Sequence, residues 1–494
     1  MRVNPLWETL AVALLVMAPT FLAAQEVAMY GGTPSRNMVS SETGLPATWD
    51  IDSGANVLWR QPAGSQSYAG PVVADGKVFI GTNNEGERDP KITGDKGNLM
   101  AFTAKDGEFL WQVVHDKLPD GRLHDWPLQG ICSTPYIEGD RVYYVSNRAE
   151  VVAADIDGLT DGKNDGPFTA EKYKGKKDGD ILWSLDMIGD LDVFPHNLAA
   201  GSPLVVGDLL FTITGNGVDE GHINVPSPFG PSFLAINKNT GKVVWENADP
   251  GEKILHGSWS NPAYGVAGGK AQVIFPGGDG VVYSFEPKTG KLIWKFDANP
   301  KDSVWRLGGA GTRNNIISTP VFYDGVVYIA VGQDPEHGEG GGHLWAIDAS
   351  KTGDVTGKAA LWHRGGEDYR RTISTVAIHD GLLYAADLSG FLYCLDAKTG
   401  KHHWTYDTFA AVWGSPFVAD GKVYLGDEDG DVVILKAGTK MEVLAEVNMG
   451  AAVYTTPVAQ DGVLYILSRK ELFALKDGIP AKPKEAPKKP AAAR

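Results

Sequence analysis

Two cysteines in 494 residues, Cys132 and Cys394, are too few for a disulfide framework, so a packed core must hold the fold. Basic excess is also lacking. The formal charge is −16, and residues 480–494 carry +4, which leaves a body near −20 that repels phosphate backbones and excludes nucleic acid as the expected partner. Long apolar runs are absent except over residues 10–24, and that run is shorter than the roughly 20 residues a spanning helix needs. With Arg2 before it and small residues before Gln25, residues 1–24 read as a secretory signal peptide cleaved near Ala24. No cysteine stands at that junction, which excludes a lipid anchor through an N-terminal Cys. There is no Walker loop, no His-Glu-x-x-His and no Gly-x-Ser-x-Gly, so phosphate-loop, zinc-peptidase and serine-hydrolase classes gain no support.

What is abundant is glycine (61), proline (29) and tryptophan (14), a mixture that suits many short strands, many turns and a repeated aromatic anchor. One unit recurs along the chain. It opens Ser/Thr-Pro, passes through a Gly-containing turn and an alternating strand, and closes on a small residue placed ten positions before a Trp. The clearest second halves run from Ala235 to Trp245, Ser284 to Trp294 and Cys394 to Trp404, each around Thr-Gly-Lys; Ala101 and Trp111 keep the same spacing. Starts at Pro71, Pro135, Pro203, Pro262, Pro320, Val376, Pro416 and Pro457 predict an all-β, eight-bladed β-propeller of four-stranded antiparallel blades, one domain over 25–479.

The last unit stops at Leu472-Phe-Ala-Leu475 without a Trp strand, whereas Val57-Leu-Trp59-Arg belongs to no other unit. The N-terminal segment is therefore expected to close the ring as the outer strand of the last blade, which removes two free sheet edges. Trp59, Trp111, Trp183, Trp245, Trp294, Trp362 and Trp404 are expected to pack between blades, with Leu444 in the seventh place. Both cysteines are expected to be free, buried and too far apart to bridge. Residues 480–494, a Pro/Lys/Ala stretch without apolar periodicity, are expected to be a disordered tail.

The motif Ala/Ser/Cys-x-Asp/Asn/Glu-x-x-Thr-Gly-Lys-x-x-Trp resembles the tryptophan-docking motif of propellers like the pyrroloquinoline quinone (PQQ) dehydrogenases, over nearly all of residues 57–475. That resemblance implies one of two functions. Quinoproteins hold PQQ and Ca²⁺ on the axis; scaffolds resembling BamB are non-catalytic and assist outer-membrane protein assembly. Thr214-Gly215-Asn216 is similar to the Thr-Gly-Asn whose Asn binds Ca²⁺ in quinoproteins. The family's Trp-Asp base has Trp259-Ser260 in its place, its vicinal Cys pair is missing, and Phe194-Pro195-His196-Asn197 stands where a Ca²⁺-binding Glu is expected. A hydroxyl without a base cannot take an alcohol proton near neutral pH as a carboxylate does.

Loops entering the inner strands and leaving the second strands of a propeller converge on one face. A ligand funnel is expected there. Its candidates are Asp125, Gln129, His196, Asn197, Asn216 and His256, together with Trp259, Asn261, Arg313, Asn314, Arg371 and Trp413. The oxygen-rich loop bearing Asp157, Asp161, Asn164 and Asp165 is a candidate Ca²⁺ loop, although it lacks a bidentate Glu at the twelfth place. His337 and His343, with Glu336 or Glu339, are candidate transition-metal ligands. The expectation is an exported, periplasmic, monomeric binding or assembly scaffold, soluble after signal removal, with no catalytic residues and no resident cofactor. It would take an envelope protein or small ligand at the funnel. Ca²⁺ belongs to the acidic loop, and PQQ only to the alternative of a quinoprotein alcohol or sugar dehydrogenase.

Overall fold

The computed structural model describes residues 28–86, 88–337 and 340–482, so residues 1–24, read above as a signal peptide, Glu339 and the end of the tail lie outside the described residues. Eight sheets form the propeller. Blade 1 shows the plan, with Val72–Ala74 innermost, then Lys77–Asn83, Lys96–Thr103 and Phe109–Asp116 outermost, all antiparallel. Blades 2 to 7 repeat it over 136–186, 204–247, 263–297, 321–370, 377–407 and 417–448, and Gly353–Asp354 adds a short fifth strand parallel to the outer strand of blade 4. Blade 8 takes three strands from 458–475 and its outer strand, Val57–Pro62, from the chain start, with Trp59 opposite Ala474. The ring closes as its sequence register requires.

The repeated Trp and Gly explain each other. Trp59, Trp111, Trp183, Trp245, Trp362 and Trp404 each donate from the indole N–H to a backbone carbonyl of the next blade, at 2.8–3.1 Å. Trp294 instead donates to Gln272 of its own blade, and Trp345 supplies the bond to Ala298 across the next boundary. In the Thr-Gly turns, a Cβ on Gly241 would stand 2.6 Å from the Trp183 ring, and one on Gly290 2.7 Å from Trp245. Both glycines also hold positive φ, so the turn needs Gly for conformation and for the approaching ring. In blade 7, where Leu444 is exposed, Trp49 from the N-terminal segment enters the core beside Phe417, Tyr424 and Met449.

The Ser/Thr-Pro starts have a role that their recurrence alone does not disclose. Amides donate from blade to blade around the axis: Gly70 to Thr134 Oγ1, Thr134 to Ser202 Oγ, and Ser202 to Asn261 Oδ1. The amide of Asn261's side chain then donates to Thr319 Oγ1; Thr319 donates to Thr375, Thr375 to Ser415 and Ser415 to Thr456. Proline follows because that position needs no ladder N–H.

The channel is not open through its length. Residues 28–45 cross the innermost strands of five blades: Ile137 donates to Ala28, Tyr264 to Pro34, Phe322 to Ser35, Ile378 to Asn37 and Val418 to Met38. Arg36 is fully buried at the centre, its guanidinium donating to the carbonyls of Tyr30, Ser202, Pro203 and Pro262. The segment satisfies inner strand edges that would otherwise face a wet channel.

Candidate functional site

Above this plug lies a cavity of about 410 Å³. Tyr30 is at its base, with its hydroxyl 3.0 Å from Thr375 Oγ1. Tyr68, Trp126, Trp259, Trp413 and Tyr454 supply aromatic walls, and Tyr68 stacks on Tyr454 at 5.2 Å between centroids. Thr134, Ser202, Asn261 and Thr319, members of the amide ring, add polar atoms. Apolar walls with a few convergent polar groups are the usual make-up of a ligand site.

Of the residues expected at the funnel, Gln129, Asn197, Trp259, Asn261 and Trp413 line this cavity. Asp125, Asn216, Arg313 and Asn314 do not. Asp125 pairs with Lys117 and accepts from Leu118 N and Asn147 Nδ2. Arg313 is forked onto the Asp297 carboxylate at 2.8 and 2.9 Å and also donates to the Asp279 carbonyl, which leaves no clamp for an anion. Asn314 exchanges bonds with Asn299. Arg371 donates to the Asp334 carbonyl and so braces the loop described next. Cys132 is another correction: it is half-buried and faces the cavity, while Cys394 is buried as expected, and both are free. Desolvation pushes the Cys132 thiol up to about 12, which keeps it protonated.

At the cavity wall, Trp259, Asp334 and Glu336 lead to a cluster of four histidines. His196 and His256 come from loops entering blades 3 and 4; His222 and His337 come from loops after the second strands of blades 3 and 5. His196 Nδ1 bonds the Val218 carbonyl at 2.9 Å, and its Nε2 lies 3.0 Å from His222 Nε2. His222 Nδ1 lies 3.1 Å from His337 Nε2, and His337 Nδ1 is 2.7 Å from Asp334 Oδ2. His256 sits between carboxylates, Nδ1 3.2 Å from Asp334 and Nε2 3.5 Å from Glu336, yet neither ring nitrogen makes a hydrogen bond. Burial and the neighbouring His256 lower the His196 pKa to about 3. Burial alone would raise the Asp334 carboxyl, but His256 and His337 hold it well below the usual carboxylate range. His222 was not singled out in the sequence. Pairing each histidine of an entry loop with those of second-strand exits would have found it.

His337 and His343 do not come together. His343 Nδ1 is 3.0 Å from His363 Nε2, and His363 stacks on Trp345 instead. The acidic loop does not converge either. Asp157 pairs with Lys77, Asp161 with Lys163 and Asn164 with Glu171, while the backbone of Asp165 donates to Asp180, so no common centre forms. The quinoprotein cofactors fit this chain poorly. Asn216 is buried; its Oδ1 accepts from Phe194 N and its Nδ2 donates to the Ser227 and Gly230 carbonyls, so its side chain is engaged by the loops of blade 3. Ser260, standing for the base, donates to the Ser318 carbonyl at 2.7 Å inside the ring.

A family profile described as outer membrane protein assembly factor BamB matches residues 25–164, 175–334, 232–369 and 337–475. Among relatives, the chain is 25% identical over 324 residues to polyvinylalcohol dehydrogenase of Sphingopyxis sp. (strain 113P3), covering 60% of this chain and 45% of that one. It is 24% identical over 339 residues to BamB of Yersinia pestis, covering 68% of each. The chain spans 45%, 18% and 56% of the first three curated relatives it matches, about half their length or less. A europium-containing methanol dehydrogenase shares the fold with TM-score 0.63 at 13% identity, over 92% of this chain and 98% of that one. Among the described residues no helix is long and apolar enough to cross a membrane. From the repeat, the closed eight-bladed ring and the profile match over most of its length, the chain belongs to the PQQ-like repeat propellers of the BamB family.

Proposed function

We propose that this chain is an exported, non-catalytic binding propeller that receives an envelope partner at the face where the axial cavity opens. One observation carries the reading. A plugged, aromatic-lined cavity is ringed by loops that expose large apolar side chains, namely Leu128, Ile223, Phe229, Val304 and Phe409, with Phe229 and Phe409 each 88% exposed. Each stands on a loop entering an inner strand or leaving a second strand, the class of loop that surrounds the cavity. Apolar residues that share one class of loop at one face mark an interaction face better than the same residues scattered singly. BamB relatives support a scaffold; dehydrogenase relatives support the alternative. The bonded state of Ser260 weighs against the second, because a hydroxyl that stands where the base is expected and donates to the Ser318 carbonyl cannot take a proton as a carboxylate does.

The test is capture of partners from intact envelope by the wild-type protein, the triple variant Ile223→Ser, Phe229→Ser, Phe409→Ser, and a control, Leu361→Ser, on an outer strand. The expected result is a reproducible partner lost at least tenfold in the triple variant and kept in the control. No reproducible partner, or equal recovery from all three proteins, would defeat the reading.

A further inference from the structure

The polarity of hydrogen bonds around His222 leaves nitrogen lone pairs facing one another. Asp334 accepts from His337 Nδ1–H, so His337 Nε2 accepts from His222 Nδ1–H and His222 Nε2 keeps its lone pair. His196 spends its Nδ1–H on the Val218 carbonyl, so its Nε2 is bare as well. These two bare nitrogens are 3.0 Å apart, and His256 stands beside them, buried, with Nδ1 3.2 Å from Asp334 and Nε2 turned to Glu336, neither nitrogen in a well-formed hydrogen bond. Lone pairs at that separation need a cation between them.

We propose that one transition-metal ion of the zinc class binds between the Nε2 atoms of His196, His222 and His256 and the Glu336 carboxylate, at the wall of the axial cavity. Three imidazoles and a carboxylate are the nitrogen and oxygen set such an ion prefers. Bonds of 2.0–2.1 Å in a tetrahedron place ligand atoms about 3.3 Å apart. The separations here are 3.0 Å for His196 to His222, 3.5 Å for His256 to Glu336 and 4.0 Å for His222 to Glu336, and one ligand atom of each residue lies within 4.8 Å of every other. A carboxylate–imidazole relay, Asp334 to His337 to His222, fixes one ligand's tautomer, and the Val218 carbonyl fixes another's. A single extra proton shared along the relay would also satisfy His196 and His222, but it would not draw in His256 Nε2 and Glu336, which stand within the same 4.8 Å group; the ion takes all four. Glu336 lines the cavity, so the ion faces whatever the cavity receives. The site goes beyond the binding reading and does not depend on it.

Zn²⁺ titrated into tag-free, metal-free protein against a chromophoric chelator should show one tight equivalent, and Co²⁺ should give the visible bands of a four-coordinate site. His222→Ala, in a partly exposed loop, should weaken binding at least 100-fold with the apo melting temperature retained. Asp334→Asn, acting through the relay, should weaken it roughly 10- to 100-fold, and His343→Ala should leave it unchanged. Absence of stoichiometric binding, or affinity that survives both His222→Ala and His256→Ala, would overturn the site and leave a proton relay in its place.

Discussion

At the scale of single residues, glycine and aspartate carry more of the fold than their exposure suggests. Gly241 and Gly207 share a positive φ, +69° and +62°, but a Cβ at 207 meets nothing within 4 Å while one at 241 meets the Trp183 ring. Gly207→Ala should cost about 1 kcal/mol for the backbone alone, and Gly241→Ala a further 1–3 kcal/mol for the displaced ring, read from paired chemical-denaturation curves. Asp279, in the loop after the second strand of blade 4, is a turn bracket. It accepts from Val281 N and from the Tyr283 hydroxyl, and burial raises its pKa to about 6. The folded state therefore binds more protons than the unfolded chain between pH ~4 and ~6, and Asp279's contribution to stability is full below that window and lost as pH rises through it. Asp279→Asn should flatten that fall, gaining on the order of 2 kcal/mol relative to wild type between pH 4.5 and pH 7, measured by melting at each pH.

At the scale of the element, the blade was legible because its spacing is rigid: small residue, turn glycine and Trp stand at fixed intervals that only a repeated strand pair produces. The inter-blade amide ring was not legible, since Ser, Thr and Asn are common before Pro and their partners lie 40 to 68 residues away in sequence. Ser415→Ala should leave the buried Thr375 N–H unpaired and cost about 1–3 kcal/mol, whereas Ser389→Ala, on an exit loop, should cost under about 0.5 kcal/mol; a double set of thermal melts decides. The ion pair of Arg313 with Asp297 was hidden for a related reason. Charge alone does not say whether an arginine meets a ligand or a neighbour, and here a strand-end aspartate 16 positions back takes both ends of the guanidinium.

At the scale of the whole molecule, closure by Val57–Pro62 was legible from the orphan Trp strand, but the plug before it was not. Residues 28–45 carry no periodicity of their own, and their bonds reach strands 100 to more than 370 residues on. Removal of residues up to 45 should therefore leave the ring closed by Val57–Pro62 yet lower the melting temperature and open the cavity base. Removal up to 62 should also broaden the transition, as an unclosed array loses cooperativity. The proposal that this propeller shares the quinoprotein fold without using its cofactor is tested most directly by a PQQ titration in the presence of Ca²⁺. Trp126, Trp259 and Trp413 all line the cavity, so any quinone seated there must quench their fluorescence. The account predicts no saturable quenching and no dye-linked oxidation of alcohols or sugars; saturable quenching with turnover would contradict it.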